Sequence, residues 1–496
     1  MHSSVKAVGS AVTLTLALVA AGAAERPLAI GERPAIEQHV DQADVESGRI
    51  GLKELFRRGQ KLFDARFNKL DGQGRPASTG AGVPRGANQP AFIRTSAPDS
   101  NSCSGCHNQP RSGGSGDFVA NVFVLAQDRD PVVTTLDPRD SNERNTLGMM
   151  GAGPIEMLAR EMSSELVAIR EAALKEAQAR GEPVRRPLES KGVSFGLILA
   201  LPDGRVDPRG IQGVDWDLIV KPFHQKGAVV SLREFSNTAM NHHHGMQSVE
   251  RFGSGVDADQ DGVVDELTVG DVTAVTIYQA ALNTPGRLLP ADPGRRAAVE
   301  SGERLFGTVG CGSCHKPLLI LDDPVFTEPD PFNPPGNLRP ADTKRVFAFD
   351  MTREGPGPRI EKLPDGRARV RAYTDLKRHD INDGDYGHFA NERVAQGTLA
   401  GFAPAADFWE PPRPRPVREF LTRKLWDVGC SAPYGHRGDL TTLTEAIYFH
   451  GGEARQVRDA FFRLADADRG AVIEFLKTLQ VLPDGSPRVV TEKPQR

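Results

Sequence analysis

The sequence predicts a mainly α protein built as two similar domains, with loop-rich insertions and a small β element. Three observations carry this. The chain holds five cysteines, and four of them form two C-x-x-C-H units, Cys103-Ser104-Gly105-Cys106-His107 and Cys311-Gly312-Ser313-Cys314-His315. A G-x-x-L-F pattern precedes each unit, at Gly59 to Phe63 and at Gly302 to Phe306. Apolar residues recur at helical spacing in both of these stretches, so the two form an internal repeat of helix, loop and C-x-x-C-H. Glycine (51) and proline (37) are plentiful and aromatics are only 6%. Short helices and long loops follow, and a large apolar prosthetic group can supply core that the side chains do not.

In a C-x-x-C-H unit the two thiols add to the vinyl groups of a porphyrin, and the histidine turns back as an iron ligand. A redox dithiol or a four-cysteine zinc site would also use these cysteines. Neither explains a histidine directly after both pairs. The expectation is two covalently bound haem c groups, held by Cys103, Cys106, His107, Cys311, Cys314 and His315. Each domain is then cytochrome c-like, with its first helix packed across the haem edge.

The N-terminus reads as a secretory signal over residues 1–23. Lys6 is the charged start, Ala11 to Ala21 an apolar run too short for a comfortable span, and Ala21-Gly22-Ala23 a small-x-small cleavage site. The mature protein is expected to be periplasmic or secreted, with no stable membrane span after signal cleavage. That compartment suits haem c. Net charge is −4 and no basic cluster stands out, so a nucleic-acid partner is not expected. Cys430 is the odd cysteine, free or buried.

Taken in order, an N-terminal haem domain spans 24–180. Its first helix runs from Glu54 to Phe67, with Leu55, Leu62, Phe63 and Phe67 on one face. A glycine-rich loop from Asp71 to Gly86 leads into the first haem unit. A second helix covers Glu156 to Ala177, with Leu158, Met162, Leu166, Ile169 and Ala173 facing inward and Glu156, Glu161 and Glu165 expected on a solvated side. An inserted segment, 181–290, begins with strands and turns over 186–232. The C-terminal haem domain spans 291–485. It holds a helix from Arg295 to Phe306, the second haem unit, proline-rich stretches at 318–345 and 404–416, a helix capped at Thr441-Thr442-Leu443-Thr444-Glu445 that stops at His450-Gly451-Gly452, and a last helix from Arg469 to Leu479.

Two features of the inserted segment point to chemistry. His242, His243 and His244 are consecutive in a chain with twelve histidines, which suggests a role in a haem pocket. Asp257, Asp259, Asp261, Gly262 and Asp265 match positions 1, 3, 5, 6 and 9 of a calcium loop, although position 12 is Thr268. Calcium binding is the expectation there, with Glu266 or Asp271 substituting for the missing glutamate.

Taken together, these residues resemble the bacterial di-haem cytochrome c peroxidase superfamily, and its di-haem oxidoreductase branch in particular. The resembling pieces are the two haem units, Met240 to Gly253, Asp261 to Asp271, Leu376 to Asp380 around His379, Leu421 to Gly429, Ala432 to Gly438 and Phe449 to Ala454. The resemblance implies one electron-transfer haem and one catalytic haem. In the family, the turn matched by Ala432 to His436 contacts the surroundings of the C-terminal haem, and a methionine ligand follows. Here that position is His450, and no methionine occurs after Met351. The resemblance therefore implies His315 and His450 as the axial pair of the second haem, with His436 nearby. Catalysis falls to the haem on His107, with His243, His244 and Glu156 as candidate acid–base groups. The expected partners are a small redox protein as electron donor or acceptor, and peroxide or a small organic substrate. The other readings are a non-catalytic electron-transfer cytochrome and a dioxygen-using di-haem oxygenase.

Overall fold

A computed structural model describes residues 31–73, 100–120, 143–259, 261–383 and 419–493. The expected signal segment, most of the loop up to Gly86 and the proline-rich stretch 404–416 lie outside the described residues. The helices are α1 (Gln42–Glu46), α2 (Leu52–Asp64), α3 (Cys103–Cys106), α4 (Ala152–Arg180), α5 (Leu232–His244), α6 (Val249–Phe252), α7 (Val269–Ala281), α8 (Pro293–Val309), α9 (Leu443–Tyr448), α10 (Arg455–Arg463) and α11 (Asp466–Lys477).

The main helices form where the sequence places its signals. In α2 the buried residues Leu55, Gly59, Leu62 and Phe63 share one face, while Arg57 and Arg58 reach back to Glu54 on the other. Asp292 caps α8 by accepting from Arg295 N at 2.7 Å, Pro293 supplies its first turn, and Gly310 ends it at φ 108°. Thr268 and Asp271 form a reciprocal capping box on α7. No helix among the described residues is long and apolar enough to cross a membrane.

The fold is mixed rather than mainly α, since the described residues also hold six small sheets. The largest strands, Val184–Ser190 and Val193–Ala200, form a hairpin with Val206–Asp207 as a third strand, where the sequence predicts strands and turns. By contrast, the apolar run around Trp216 to Phe223 makes no ladder beyond a single bridge from Phe223 to Val229. Most other strands have two to four residues, too short for a period-2 pattern to stand out between prolines and glycines. Gly286–Leu289 pairs with Leu479–Gln480 and Val489–Thr491, tying the end of α7 to the C-terminal tail.

The repeat read from the sequence is a repeat in space. α2 packs on α7, and α8 packs on α11. A Cβ on Gly59 would lie 2.0 Å from Ala274 O, and one on Gly302 would lie 1.9 Å from Ala471 O. Each glycine therefore lets two backbones approach closer than any side chain allows. Four residues after these contact points come Tyr278 and Phe475. Phe63 packs on Tyr278 at 5.2 Å between ring centroids, and Phe306 packs on Phe475 at 5.5 Å. α7 is thus the N-terminal counterpart of α11. The first haem unit is closed by a helix from the inserted segment, after more than a hundred intervening residues. The buried apolar residues form one large cluster around α2, α4 and α7 and a smaller one around α8 and α11.

Candidate functional site

The first haem unit is a short helix, α3, with His107 at its C-cap. The His107 ring stands 6.3 Å from Phe63. Its Nδ1–H donates to Leu147 O at 2.9 Å, because a carbonyl can only accept. Nε2 is then left as a lone pair. Burial pushes the His107 pKa down to about 4, and the charge of His243 pushes the same way.

The second haem unit copies this arrangement. Phe306 lies 6.4 Å from His315, and His315 Nδ1–H donates to Tyr373 O at 3.1 Å. The matching aromatic distances show that the G-x-x-L-F pattern encodes the place of the phenylalanine over the histidine. His450 faces His315 with 6.3 Å between ring centroids and 54° between planes. Its Nδ1–H donates to Ala446 O at 2.8 Å, so its Nε2 is also a free lone pair. Burial lowers the pKa of both rings, that of His315 to about 4 with the charge of His450 adding to the effect. Two neutral imidazoles with anchored Nδ1 atoms are the form that binds metal. Nitrogens about 2 Å either side of one metal ion put ring centroids on the order of 6 Å apart, so this pair would be spaced to hold one metal ion between them. α9 delivers His450 as expected: Thr442 caps it by accepting from Glu445 N at 3.1 Å.

The cysteines fit haem attachment better than zinc. None of the five is in a disulfide. Burial pushes the Cys103 thiol up to about 12 and Cys311 to about 11. Cys103 packs on the larger core and Cys311 on the smaller, which excludes one shared four-cysteine site. Cys430 sits apart, with its Sγ 3.3 Å from Val481 N.

The remaining candidates are placed as follows. His242, His243 and His244 form the last turn of α5, not a surface loop. His244 is 2% exposed; its Nδ1–H donates to Ser100 O at 2.7 Å, and its Nε2 stands 3.4 Å from Cys103 Sγ. His243 is the histidine whose charge acts on His107, as that of His450 acts on His315. Glu156 is fully buried rather than solvated. Its Oε1 accepts from Arg160 at 2.7 Å and its Oε2 from Leu232 N at 2.7 Å, so it caps the start of α5. The histidines lie at the other end of α5, roughly 18 Å along the axis. The structure therefore does not bring Glu156 to His243 and His244. The reason is non-local: Arg160, Asp330 and Arg233 converge with Glu156 and Glu328 in one buried ion-pair network.

His436 turns towards the first half of the chain. It pairs with Gln225 through Nδ1, and its carbonyl accepts from Asn145 N at 2.9 Å. His379 contacts Asp375 at 2.9 Å and Glu453 at 2.8 Å and shares a cluster with Cys314. Burial opposes its charge, but Asp375, Cys314 and Glu453 outweigh that and raise its pKa to about 11. Asp257, Asp259 and Asp261 converge, whereas Asp265 turns away to Gly255 N at 2.8 Å.

The sequence marks Leu421 to Gly429 only as part of the resemblance and gives the residues from Arg423 to Val428 no role. Trp426 is 3% exposed and packs in the larger core over Gly151, while Leu425 and Val428 pack in the smaller one. Arg423 acts electrostatically on His107, and its backbone on His315. Lys424 Nζ donates to Gly148 O at 2.8 Å. This segment joins the two sites. A buried tryptophan beside two basic residues was the signal, but no periodicity places it between two cores.

Residues 414–479 match the family model described as "Di-haem oxidoreductase, putative peroxidase". The matched stretch contains the joining segment, His436, His450 and α11, and the family's description names two haems. Among solved structures, the chain is similar to hydrazine synthase of Kuenenia stuttgartiensis, with 16% identity, a TM-score of 0.36, and 95% of this chain and 100% of that chain covered. It is also similar to a MauG-like protein associated with microbial copper homeostasis, with 15% identity, a TM-score of 0.26, and 56% and 76% covered. Comparison with curated proteins finds no match.

Proposed function

We propose that this chain is an exported, periplasmic di-haem c-type oxidoreductase of peroxidase type. His315 and His450 hold the electron-transfer haem, and the haem on Cys103, Cys106 and His107 is the catalytic one. The observation that carries this reading is the facing pair His315 and His450. Both rings are neutral, anchored through Nδ1 and spaced for one metal between them. Two fixed imidazoles favour ferric iron and leave no open position, which suits an electron relay. The haem itself supplies the redox chemistry on peroxide or a small organic substrate; the protein supplies ligands, burial and proton handling.

The residues around His107 have the inventory for proton handling. His243 and His244 stand near the first unit, and both His107 and His244 hold their Nδ1 protons on carbonyl oxygens. The stretch from Arg423 to Val428 gives electrons a short, packed path between the two units, with Trp426 as its aromatic member. Electrons enter from a small redox protein.

Optical and EPR spectra of the purified ferric protein test the reading. One low-spin haem and one that binds cyanide and turns over peroxide is the expected result. His450→Met should keep the second haem six-coordinate and raise its potential. An unchanged spectrum and potential would remove His450 from the axial pair. The placement of His243 favours a second reading, a closed electron-transfer cytochrome. Two low-spin haems in both redox states, with no peroxide turnover, would establish that one instead.

A further inference from the structure

We propose that Asp257, Asp259, Asp261 and Glu266 form a calcium site that locks the turn behind the histidine-bearing helix α5. This goes beyond the haem reading and does not depend on it. Asp257, Asp259 and Asp261 each bring a carboxylate oxygen to within 4.8 Å of the others. Oxygens bound to one calcium at about 2.3–2.6 Å can be no more than about 5 Å apart, so the three can share an ion. The loop has the curl such a site needs. Asp257 accepts from Asp261 N at 3.1 Å and from Gly262 N at 3.0 Å, and Gly262 turns the chain at φ 96°.

Glu266 supplies the independent observation. It is 2% exposed, and its Oε2 accepts from Gln247 N at 2.7 Å. Its Oε1 has no donor from the protein, and the charges of Asp259, Asp261 and Asp257 all bear on it. Oδ1 of Asp259, which is 9% exposed, and Oδ2 of Asp261 also lack donors. Several buried oxygens that converge without donors need a cation, since each otherwise carries its full desolvation cost. The exposed Lys69 bears on Asp261 and offsets one charge at most.

The choice of carboxylate follows from the fold. Thr268, at the position of the usual bidentate acid, is the N-cap of α7. Asp271 is occupied by the capping box, by Val40 N at 2.8 Å and by His39 at 2.6 Å. Glu266, two residues before Thr268, is the acid that remains, and the charges of all three loop aspartates bear on it. Four oxygen donors and no nitrogen or sulfur select a hard cation, and this many protein carboxylates suit calcium rather than magnesium, which keeps several waters. The mechanical consequence is local. Gln247 donates its N–H to Glu266 and accepts from Ala258 N at 3.1 Å, three residues beyond His244. The ion would fix the exit of α5 against the entry of α7.

The test uses the full-length holoprotein. Bound calcium is measured by elemental analysis, and thermal melts are recorded in CaCl2, MgCl2 and EGTA. Calcium should raise the melting temperature by several degrees over EGTA, and magnesium much less. Glu266→Gln and Asp259→Asn should abolish the calcium response. In EGTA both variants should melt at or above wild type, because each removes a buried negative charge; that arm also shows that they fold. Calcium titration by calorimetry gives a second readout if the melts overlap with haem loss. Equal melts of wild type in calcium and EGTA with no bound calcium, an unaltered response in both variants, or an equal effect of magnesium would each overturn the proposal.

Discussion

Gly302→Ala is the sharpest test of how the haem units are held. A methyl group on Gly302 would sit 1.9 Å from Ala471 O, 2.4 Å from Ala471 C and 2.8 Å from Val472 N. All three are backbone atoms, so no side chain can swing away. Relief to an ordinary contact requires α8 and α11 to separate by about 1 Å or more, and such overpacking costs about 1–3 kcal/mol or somewhat more. Alanine recovers up to about 1 kcal/mol of helix propensity. The net expectation is a loss of about 1–2 kcal/mol, or a fall of roughly 2–8 °C in the melting temperature of a domain this size. Gly307→Ala is the control. It lies in the same helix with nothing within 4 Å of the new methyl, so it should stabilise by about 0.5–1 kcal/mol. Separation of the helices also shifts Phe306, which packs on both Phe475 and His315. The optical spectrum of the second haem should therefore change in Gly302→Ala and not in Gly307→Ala. If Gly302→Ala melts at or above wild type with an unaltered spectrum, the close crossing of α8 and α11 does not position the site.

Glu156→Ala should cost about 3–5 kcal/mol, since it strips a buried partner from Arg160 and an acceptor from the start of α5; chemical denaturation measures this. Glu156→Gln should fold and retain peroxide turnover per haem, and a large loss of turnover at normal haem content would return Glu156 to the chemistry. His39 is half-exposed, and its hydrogen bond to Asp271 raises its pKa above the ordinary 6.5. A raised folded-state value means the stabilisation is fully present below pH 6.5 and is lost as pH rises through the folded-state pKa. It amounts to about 0.5 kcal/mol at this exposure. Melts from pH 5.5 upward should lose this contribution in wild type, and His39→Gln should flatten the profile by the same amount.

The two C-x-x-C-H units, the G-x-x-L-F repeat, the capped helix leading to His450 and the acidic loop were all legible in the sequence by itself. Each is local: thiol chemistry depends on adjacent residues, a helical face on spacing, a cap on three or four positions. The resemblance to di-haem oxidoreductases rested on local pieces as well, and the family match over residues 414–479 takes in three of them, Leu421 to Gly429, Ala432 to Gly438 and Phe449 to Ala454. Tertiary structure alone decided which residues meet. It assigned α7, from the inserted segment, as the closing helix of the first unit, because Gly59 and Ala274 can touch only after a long excursion of the chain. It moved Glu156 from an expected solvated face into a buried network at the far end of α5 from the histidines. It turned Asp265 out of the acidic cluster, and it packed Trp426 in the larger core with its neighbours Leu425 and Val428 in the smaller one. Carboxylate roles were the least legible for a physical reason. A carboxylate's behaviour is set by the solvent and charges around it, and those arrive from distant parts of the chain.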